Sequence, residues 1–292
     1  MTNSNQWQAP GLNRRKIGDY IVTGIVDGFV VAPFDLLSGM RPDEAMRMTV
    51  AASRPPSSAI TVSAYLIEGR GRTILVDGGS GGINGWGGRL QASLAAANVN
   101  PLAIDQILLT HAHPDHIGGL VGVLPSAPLF PNAQLVMHEA EFAFWTDDAN
   151  LNLAPDAIKP FFQAARAVFE AYGARRRTVS AGQVAPGIVI DHLPGHTPGH
   201  SGYRIDDGGA SLLIWGDIVH YPDIQVPRPD VTIAFDVDQA AAAATRKKVL
   251  DRVSASGELV AGMHLNFPGF ARLSRKGESF EIRHEPWSAE LI

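Results

Sequence analysis

Four potential metal ligands lie within six positions of the short stretch THAHPDHIGG. In an extended segment alternate side chains point to the same side, so His111 and His113 can bind one ion together. A proline follows, and Asp115 then begins a new helix. Asp115 and the adjacent His116 cannot face the same way as the first pair and suit a second ion. The spacing therefore predicts two neighbouring metal ions rather than one.

Four side chains are too few for two metal ions, so other parts of the chain must supply further ligands. Three later stretches each place a candidate at a predicted strand end or in a glycine turn: His196 in LPGHTPGHSGY, Asp217 in LLIWGDIVH and His264 in ELVAGMHLNFPG. Residues at the strand ends of an α/β core converge on one edge, where such folds build their sites. The chain has no cysteine, so any metal must be bound through nitrogen and oxygen.

Two further polar residues are candidates for supporting roles around these ligands. Asp77, in LVDGG, either accepts a hydrogen bond from a ligand imidazole or caps a turn. His200 lies four residues after His196 and is expected to brace the turn rather than to bind metal. His192 is expected to be a strand residue, and His138 and His284 are expected to belong to the scaffold.

Short strands and helices alternate along the chain and must position these residues. Residues 1–18 are polar and poorly periodic, which predicts an N-terminal arm, either disordered or packed on a partner subunit, before a single domain over 19–292. Residues 139–178 are helical and aromatic, which predicts an inserted helical cap. A long helix is expected between Asp238 as N-cap and Gly257 as its stop. The mixture predicts an α/β class with a layered sandwich.

Composition and charge narrow the possible partners. The net charge of −5 provides no overall basic field for nucleic acid. No stretch offers the roughly 18 uninterrupted apolar residues of a membrane span. The first residues lack the apolar core of a secretory signal, so a cytoplasmic location is expected.

The ordered set of ligands resembles the metallo-β-lactamase superfamily from about Tyr20 to the end of the chain. The resemblance implies a four-layered αββα sandwich and two divalent metal ions. It implies three sets of ligands: His111, His113 and His196 for one ion, Asp115, His116 and His264 for the other, and Asp217 as the bridge. Zinc is expected first, although manganese, iron or cobalt would also accept these ligands.

Two such ions would hold a shared water as a metal-bridging hydroxide at neutral pH, because each ion lowers the pKa of that water. The predicted reaction is hydrolysis of an ester, lactone, amide or phosphate ester. Asp115 is the candidate catalytic residue, since it could orient the hydroxide and pass its proton to the leaving group. Asp217 stands where true β-lactamases carry Cys or Ser, which argues against that activity.

Three longer stretches resemble the methyl parathion hydrolase and lactonase-like group: KIGDYIVTGIVDG, GDIVHYPDIQVPRPDVTIAFDVD and HLNFPGFARL. This resemblance implies a lactonase, esterase or phosphotriesterase with an aromatic-rimmed apolar pocket, acting on a small-molecule ester or lactone. Trp145, Phe144 and Trp86 are candidates for contacts with the substrate, the alternative being ordinary packing. The predicted arm and the family likeness favour a homodimer.

Three alternative functions remain open at this stage. A phosphodiesterase or nuclease could use the same metal core, but it needs a basic track, and acidic residues outnumber Lys and Arg by 29 to 24. A glyoxalase II-like thioesterase would end in a helical domain, whereas short strands are expected after His264. A non-catalytic binding protein would usually have lost ligands, and this chain has all seven.

Overall fold

The computed structural model describes Ala9 and residues 11–122 and 127–291. Its strands, in chain order, are β1 (Leu12–Ile17), β2 (Tyr20–Val31), β3 (Leu37–Ser38), β4 (Ala59–Gly69), β5 (Arg72–Val76), β6 (Gln106–Leu108), β7 (Gln134–His138), β8 (Arg176–Val179), β9 (Gly182–Ala185), β10 (Ile188–His192), β11 (Ser201–Asp207), β12 (Ala210–Ile214), β13 (Thr232–Ile233), β14 (Leu259–Ala261), β15 (Phe270–Lys276) and β16 (Ser279–His284). Its α-helices are α1 (Pro42–Ala51), α2 (Leu90–Ala96), α3 (Pro114–Ile117), α4 (Glu139–Thr146), α5 (Asp148–Leu153), α6 (Lys159–Tyr172), α7 (Pro222–Gln225) and α8 (Gln239–Ser256).

Two mixed sheets of seven strands each form the centre of the molecule. Their strand orders are β1-β2-β4-β5-β6-β7-β8 and β16-β15-β14-β12-β11-β10-β9, while β3 pairs with β13. Strands β5 to β8 are mutually parallel, as are β12 and β14. Parallel neighbours end at the same edge, so the loops that follow them are brought together.

Three apolar clusters show that the sheets and helices form four layers. Between the sheets, Tyr65, Tyr203 and Phe270 are fully buried with β-branched residues of both sheets. On the outer face of the first sheet, helices α2, α4 and α6 contribute to a second cluster, which includes Phe162. Helix α8 covers the outer face of the second sheet with residues such as Leu250. The predicted αββα sandwich is therefore confirmed.

Helix α8 begins and ends where the sequence predicts. The side chain of Asp238 accepts a hydrogen bond from the backbone N–H of Ala241 at 2.9 Å, so it satisfies a donor of the first turn. Gly257 adopts a left-handed φ of 68° at the C-terminal end, a conformation that glycine takes without a steric penalty.

Two predicted boundaries are wrong. Strand β1 pairs antiparallel with β2, so the first sheet begins inside the predicted arm of residues 1–18; residues 1–8 lie outside the described part. The buried face of β1 carries Asn13 and Arg15, and its polar composition concealed the strand. The predicted cap over 139–178 is too long, because β8 is an edge strand parallel to β7. The β8 residues Arg177 and Thr178 are exposed, as residues at the end of a surface helix also are, so the sequence pattern did not distinguish the strand from a helix end.

None of the described helices is both long and apolar enough to cross a membrane. Assembly as a homodimer stays a prediction, which the mass of the protein in solution tests.

Arg246 of α8 is a buried cation that holds the segment following β12. Its Nε donates a hydrogen bond to the carbonyl oxygen of Ile218 at 2.6 Å, and its Nη1 donates to those of Val231 at 2.7 Å and Pro229 at 3.0 Å. Its Nη2 also lies 3.8 Å from a carboxylate oxygen of Asp236. The guanidinium of Arg246 therefore connects helix α8 by hydrogen bonds to the long segment that follows β12.

We expect Arg246→Met to lower the free energy of unfolding by about 3 kcal/mol or more, because it leaves buried carbonyls without donors. Urea denaturation followed by circular dichroism measures the change. The matched control is Arg252→Met on the same helix, where a more exposed guanidinium pairs with Asp191 and contributes about 1 kcal/mol at most. Equal urea midpoints for the two variants would contradict this role for Arg246.

Candidate metal centre

Seven side chains meet at the edge of the sandwich where the inner strands of both sheets end. They come from the loop after β6, from α3, from the turn between β10 and β11, and from the residues after β12 and β14. In chain order they are His111, His113, Asp115, His116, His196, Asp217 and His264, and all except Asp115 are buried.

Three imidazoles form a first cradle, in which Nε2 of His111, Nδ1 of His113 and Nε2 of His196 lie 2.9–3.2 Å from one another. A neutral imidazole has one donor and one acceptor nitrogen, so three nitrogens that face each other cannot all be satisfied by mutual hydrogen bonds. Ligands about 2.1 Å from a tetrahedral zinc ion lie about 3.4 Å apart. The first cradle therefore has nearly the size and the donor chemistry of the site for one zinc ion, which would be half of a two-metal centre.

A second cradle lies beside the first and combines Asp115, His116 and His264 with Asp217. Oδ2 of Asp115 is 3.5 Å from Nε2 of His116 and 3.6 Å from Nε2 of His264. Oδ2 of Asp217 is 3.2 Å and 3.1 Å from the same two nitrogens. These separations also match the edges of a metal polyhedron.

Asp217 stands between the two cradles. Its Oδ2 lies 3.1–3.6 Å from an imidazole Nε2 atom of each of five residues: His111, His116, His196, His220 and His264. The other oxygen, Oδ1, and Nε2 of His116 are buried without a hydrogen-bond partner. Buried polar atoms without partners are costly, and one cation in each cradle would satisfy them. The residues present therefore fit a pair of metal ions.

Asp77 orients one of these imidazoles. Its Oδ2 accepts a hydrogen bond from Nδ1 of His116 at 2.7 Å, which directs Nε2 of that ring into the second cradle. It also accepts hydrogen bonds from the backbone N–H and the hydroxyl of Thr110, directly before the ligand loop. Of the two alternatives for Asp77, the structure shows the contact with an imidazole.

Two further acceptors orient ligand rings, and the sequence analysis identified neither. Asp236 accepts a hydrogen bond from Nδ1 of His196 at 2.7 Å, and the carbonyl oxygen of Thr61 accepts one from Nδ1 of His264 at 2.7 Å. Each bond fixes the tautomer and turns Nε2 toward a cradle.

The surroundings favour the protonation states that bind cations in part of the cluster. Burial lowers the pKa values of His111 and His113 well below the ordinary value, and neighbouring imidazoles lower them further. Burial alone would raise the pKa of Asp217, but the adjacent imidazoles, His116 foremost, hold it well below its usual range. Neutral imidazoles and ionised carboxylates are the forms that coordinate metal.

His200 and His220 have different positions around Asp217. His200 donates from Nδ1 to the carbonyl oxygen of Leu193 and accepts the backbone N–H of Asp217 at Nε2, both at 2.9 Å, so it braces the turn. His220 faces the cluster, with Nε2 3.3 Å from Oδ2 of Asp217, and burial lowers its pKa to about 4. Sequence reasoning assigned His220 no role, although the spacing Asp-x-x-His after a strand was a usable signal.

Two cavities adjoin the cluster and share His113, Phe161 and Phe235 in their walls. The smaller, about 30 Å³, lies over the ligands, and Trp86 is part of its wall. The larger, about 390 Å³, is mainly apolar and is lined by cap residues that include Phe144 and Trp145.

Trp145 packs more tightly than a simple pocket residue. Its side chain is almost fully buried, and its indole N–H donates a hydrogen bond to Oε1 of Glu141 at 2.6 Å. Its ring meets the ring of His113 edge-on, with centroids 5.6 Å apart. Trp145 therefore lines the cavity, as predicted, and is also packed in the core, as the alternative interpretation had it.

Two adjacent cation cradles at the strand ends of an αββα sandwich define a metal-binding hydrolase scaffold. The sequence profile of the metallo-β-lactamase superfamily matches residues 59–264, more than half of the chain. The protein belongs to this superfamily and is a hydrolase of it.

Solved structures that resemble almost the whole chain include those of AbOPH and AidC. The crystal structure of hydrolase AbOPH, in the β-lactamase superfamily, is 26% identical with a TM-score of 0.90, covering 97% of this chain and 100% of that one. AidC, a dizinc quorum-quenching lactonase in complex with a product, N-hexanoyl-L-homoserine, is 25% identical with a TM-score of 0.88, covering 96% and 99%. A ribonuclease Z from Clostridium beijerinckii is 46% identical over 63 residues, but these span only 22% of this chain and 18% of that protein.

We expect Asp77→Asn to weaken zinc binding about 10- to 100-fold, because the amide orients the ring of His116 less strongly than the carboxylate does. Competition between metal-stripped protein and a chromophoric chelator measures the affinity. Asp105→Asn is the matched control, since Asp105 accepts a hydrogen bond from the backbone of Thr73 at the opposite end of the parallel strands. An equal loss of zinc affinity in both variants would contradict the role of Asp77.

Proposed function

We propose that this protein is a dinuclear metallohydrolase that acts on small lactones or esters, with phosphotriesters as side substrates. The observation that carries the proposal is the pair of cradles sharing Asp217 beside a mainly apolar cavity. Its cofactors would be two divalent ions, with zinc first. His111, His113 and His196 would hold one ion, and Asp115, His116 and His264 the other, with Asp217 shared.

The similarity to AidC supports both parts of the proposal. That protein is a dizinc lactonase with a bound acyl-homoserine product, and the likeness extends over 96% of this chain. The ligand types in the two cradles also support zinc, because neutral imidazoles and carboxylates are typical zinc ligands. The match to ribonuclease Z spans only 18% of that protein, so the proposal takes nothing from its substrate.

Bound divalent ions would lower the pKa of a water and stabilise negative charge on a substrate oxygen. Asp115 is placed to handle the proton, since its side chain is 16% exposed whereas Asp217 is 2% exposed. Burial opposes ionisation of Asp115, yet His116 and His264 lower its pKa below the usual range. This lowered pKa keeps Asp115 ionised near neutral pH, so its carboxylate is free to take up a proton from water, and as a weak base it would then pass that proton on to the leaving group.

The larger cavity supports an apolar group on the substrate. Phe144, Phe161, Phe162 and Phe235 contribute to its wall, and it adjoins the cradles through His113. A volume of about 390 Å³ accommodates a short acyl chain or an aryl group. The net charge of −5 favours small neutral substrates over nucleic acid.

We expect the zinc-loaded protein to hydrolyse N-hexanoyl-homoserine lactone and aryl esters faster than a phosphotriester, a cyclic nucleotide, a short RNA or a cephalosporin. The reason is that the cavity is mainly apolar, and that the net charge of −5 does not favour the basic surface that a nucleic-acid substrate needs. Initial rates over this panel, with metal content measured on the same sample, provide the test. Preferred hydrolysis of the cyclic nucleotide or the RNA would replace the proposal with a phosphodiesterase or nuclease.

Asp115→Asn separates proton transfer from metal binding within the same experiment. If Asp115 moves the proton, the variant that still contains two metal ions loses about 100- to 10,000-fold in kcat. Wild-type turnover in fully loaded Asp115→Asn would show that another group carries out this step.

We expect kcat/KM to rise about fourfold per methylene along a series of acyl lactones until the cavity is filled, since each buried methylene contributes about 0.8 kcal/mol. Phe144→Ala should make kcat/KM less dependent on acyl-chain length, because it removes part of the cavity wall and widens the cavity. Phe142→Ala is the matched control on the same helix, because Phe142 packs against Phe169, with ring centroids 5.4 Å apart, and does not line the cavity. The same chain-length profile in Phe144→Ala and wild type would place the acyl group elsewhere.

A further inference from the structure

Glu141 of α4 is a fully buried carboxylate that belongs to neither cradle. Its Oε1 accepts hydrogen bonds from the backbone N–H of Ala112 at 2.8 Å and from the indole N–H of Trp145 at 2.6 Å. Its Oε2 accepts one from the hydroxyl of Thr197 at 2.5 Å. A buried carboxylate that is held by neutral donors is expensive to retain, which indicates a role beyond filling space.

The donors to this carboxylate are neighbours of metal-ligand candidates in the chain. Ala112 lies between His111 and His113, and Thr197 directly follows His196. The carboxylate therefore joins the two loops that build the first cradle. Both loops are distant from Glu141 in the sequence, since Ala112 is 29 residues and Thr197 is 56 residues from it.

Close packing of α4 against the same loops supports this arrangement. A Cβ atom on Gly199 would lie 2.0 Å from the backbone nitrogen of Glu141, so the turn after His196 contacts the helix directly. One helical turn further along, the ring of Trp145 contacts the ring of His113. Helix α4 thus contacts both loops of the first cradle, and Glu141 forms hydrogen bonds with both.

We propose that Glu141 is a positioning residue, which holds the two loops at the separation that the first cradle needs to bind a metal ion. The inference rests on the metal-binding part of the proposed function. Ligand geometry must be held within about 0.5 Å to be productive, and the three nitrogens of this cradle are only 2.9–3.2 Å apart. The rings of His116 and His264 in the second cradle are oriented by Asp77 and Thr61 instead.

The test is a zinc titration of metal-stripped Glu141→Ala against a chromophoric chelator. We expect one of the two zinc ions to bind about 10- to 100-fold more weakly while the other keeps its affinity, because only the first cradle loses its support. The visible spectrum of the cobalt-substituted protein should change for one ion only. Neither readout depends on the substrate.

Two milder variants keep the test decisive if Glu141→Ala does not fold. Thr197→Val removes only the hydroxyl donor, so it should weaken the same zinc ion by a smaller factor. Glu141→Gln can still accept from Ala112 and can donate to the Thr197 hydroxyl, so it should restore most of the affinity. Wild-type zinc affinity in Thr197→Val, or a loss in Glu141→Gln larger than that in Thr197→Val, would overturn the positioning role.

Glu258→Ala is the matched control for loss of a buried carboxylate. Glu258 precedes β14, at the end opposite to His264, and contacts Ser211 and Arg204. This variant should lose stability in urea and keep both zinc affinities. Unchanged zinc binding in Glu141→Ala, or an equal loss in Glu258→Ala, overturns the inference. A wild-type protein that binds no zinc would overturn the proposed function itself.

Discussion

A single carboxylate oxygen, Oδ2 of Asp217, surrounded by imidazole nitrogens is the constraint on which the rest of the site depends. The five nearest nitrogens lie within 3.6 Å of it in a buried environment. Without cations, such a cluster leaves lone pairs facing one another at a free-energy cost, because few protons can be shared among so many acceptors. The surrounding structure opposes collapse of this cluster by accepting hydrogen bonds from the outer nitrogens of His116, His196 and His264.

The sandwich fold makes this arrangement possible because strands from both sheets end at one edge. The connecting turns must be tight there, and two glycines show how closely. A Cβ on Gly216, which has a φ of 61°, would lie 2.4 Å from Nε2 of His200. A Cβ on Gly118 would lie 2.1 Å from the carbonyl oxygen of Ser80. Side chains at either position would push the ligand loops apart, so the backbone path and the metal geometry are set together.

The sequence was sufficient to predict the layers and to indicate the seven side chains that the structure brings together, because these residues follow strands in short motifs with local signals. It was insufficient where the signal is non-local or misleading. Strand β1 buries Asn13 and Arg15, so its sequence lacks the apolar–polar alternation that usually indicates a strand. Asp236 lies 40 residues from His196, which it orients, and its own segment contains no motif that indicates this contact. Supporting residues of this kind are determined by tertiary proximity, which no local spacing encodes.

Helix α4 contributes both to the wall of the larger cavity and to the support of the ligand loops, and these tasks limit how its residues can vary. Trp145 lines the cavity, but its indole N–H also donates to Glu141, so a smaller side chain would change the pocket and remove a hydrogen bond from a buried carboxylate. Phe144 and Phe235 line the same cavity through apolar surface alone. Pocket shape can therefore change at these two positions with less effect on the ligand loops. Cavity shape and the geometry of the ligand loops are thus separable in this fold, but only at side chains that do not also hold a polar group in place.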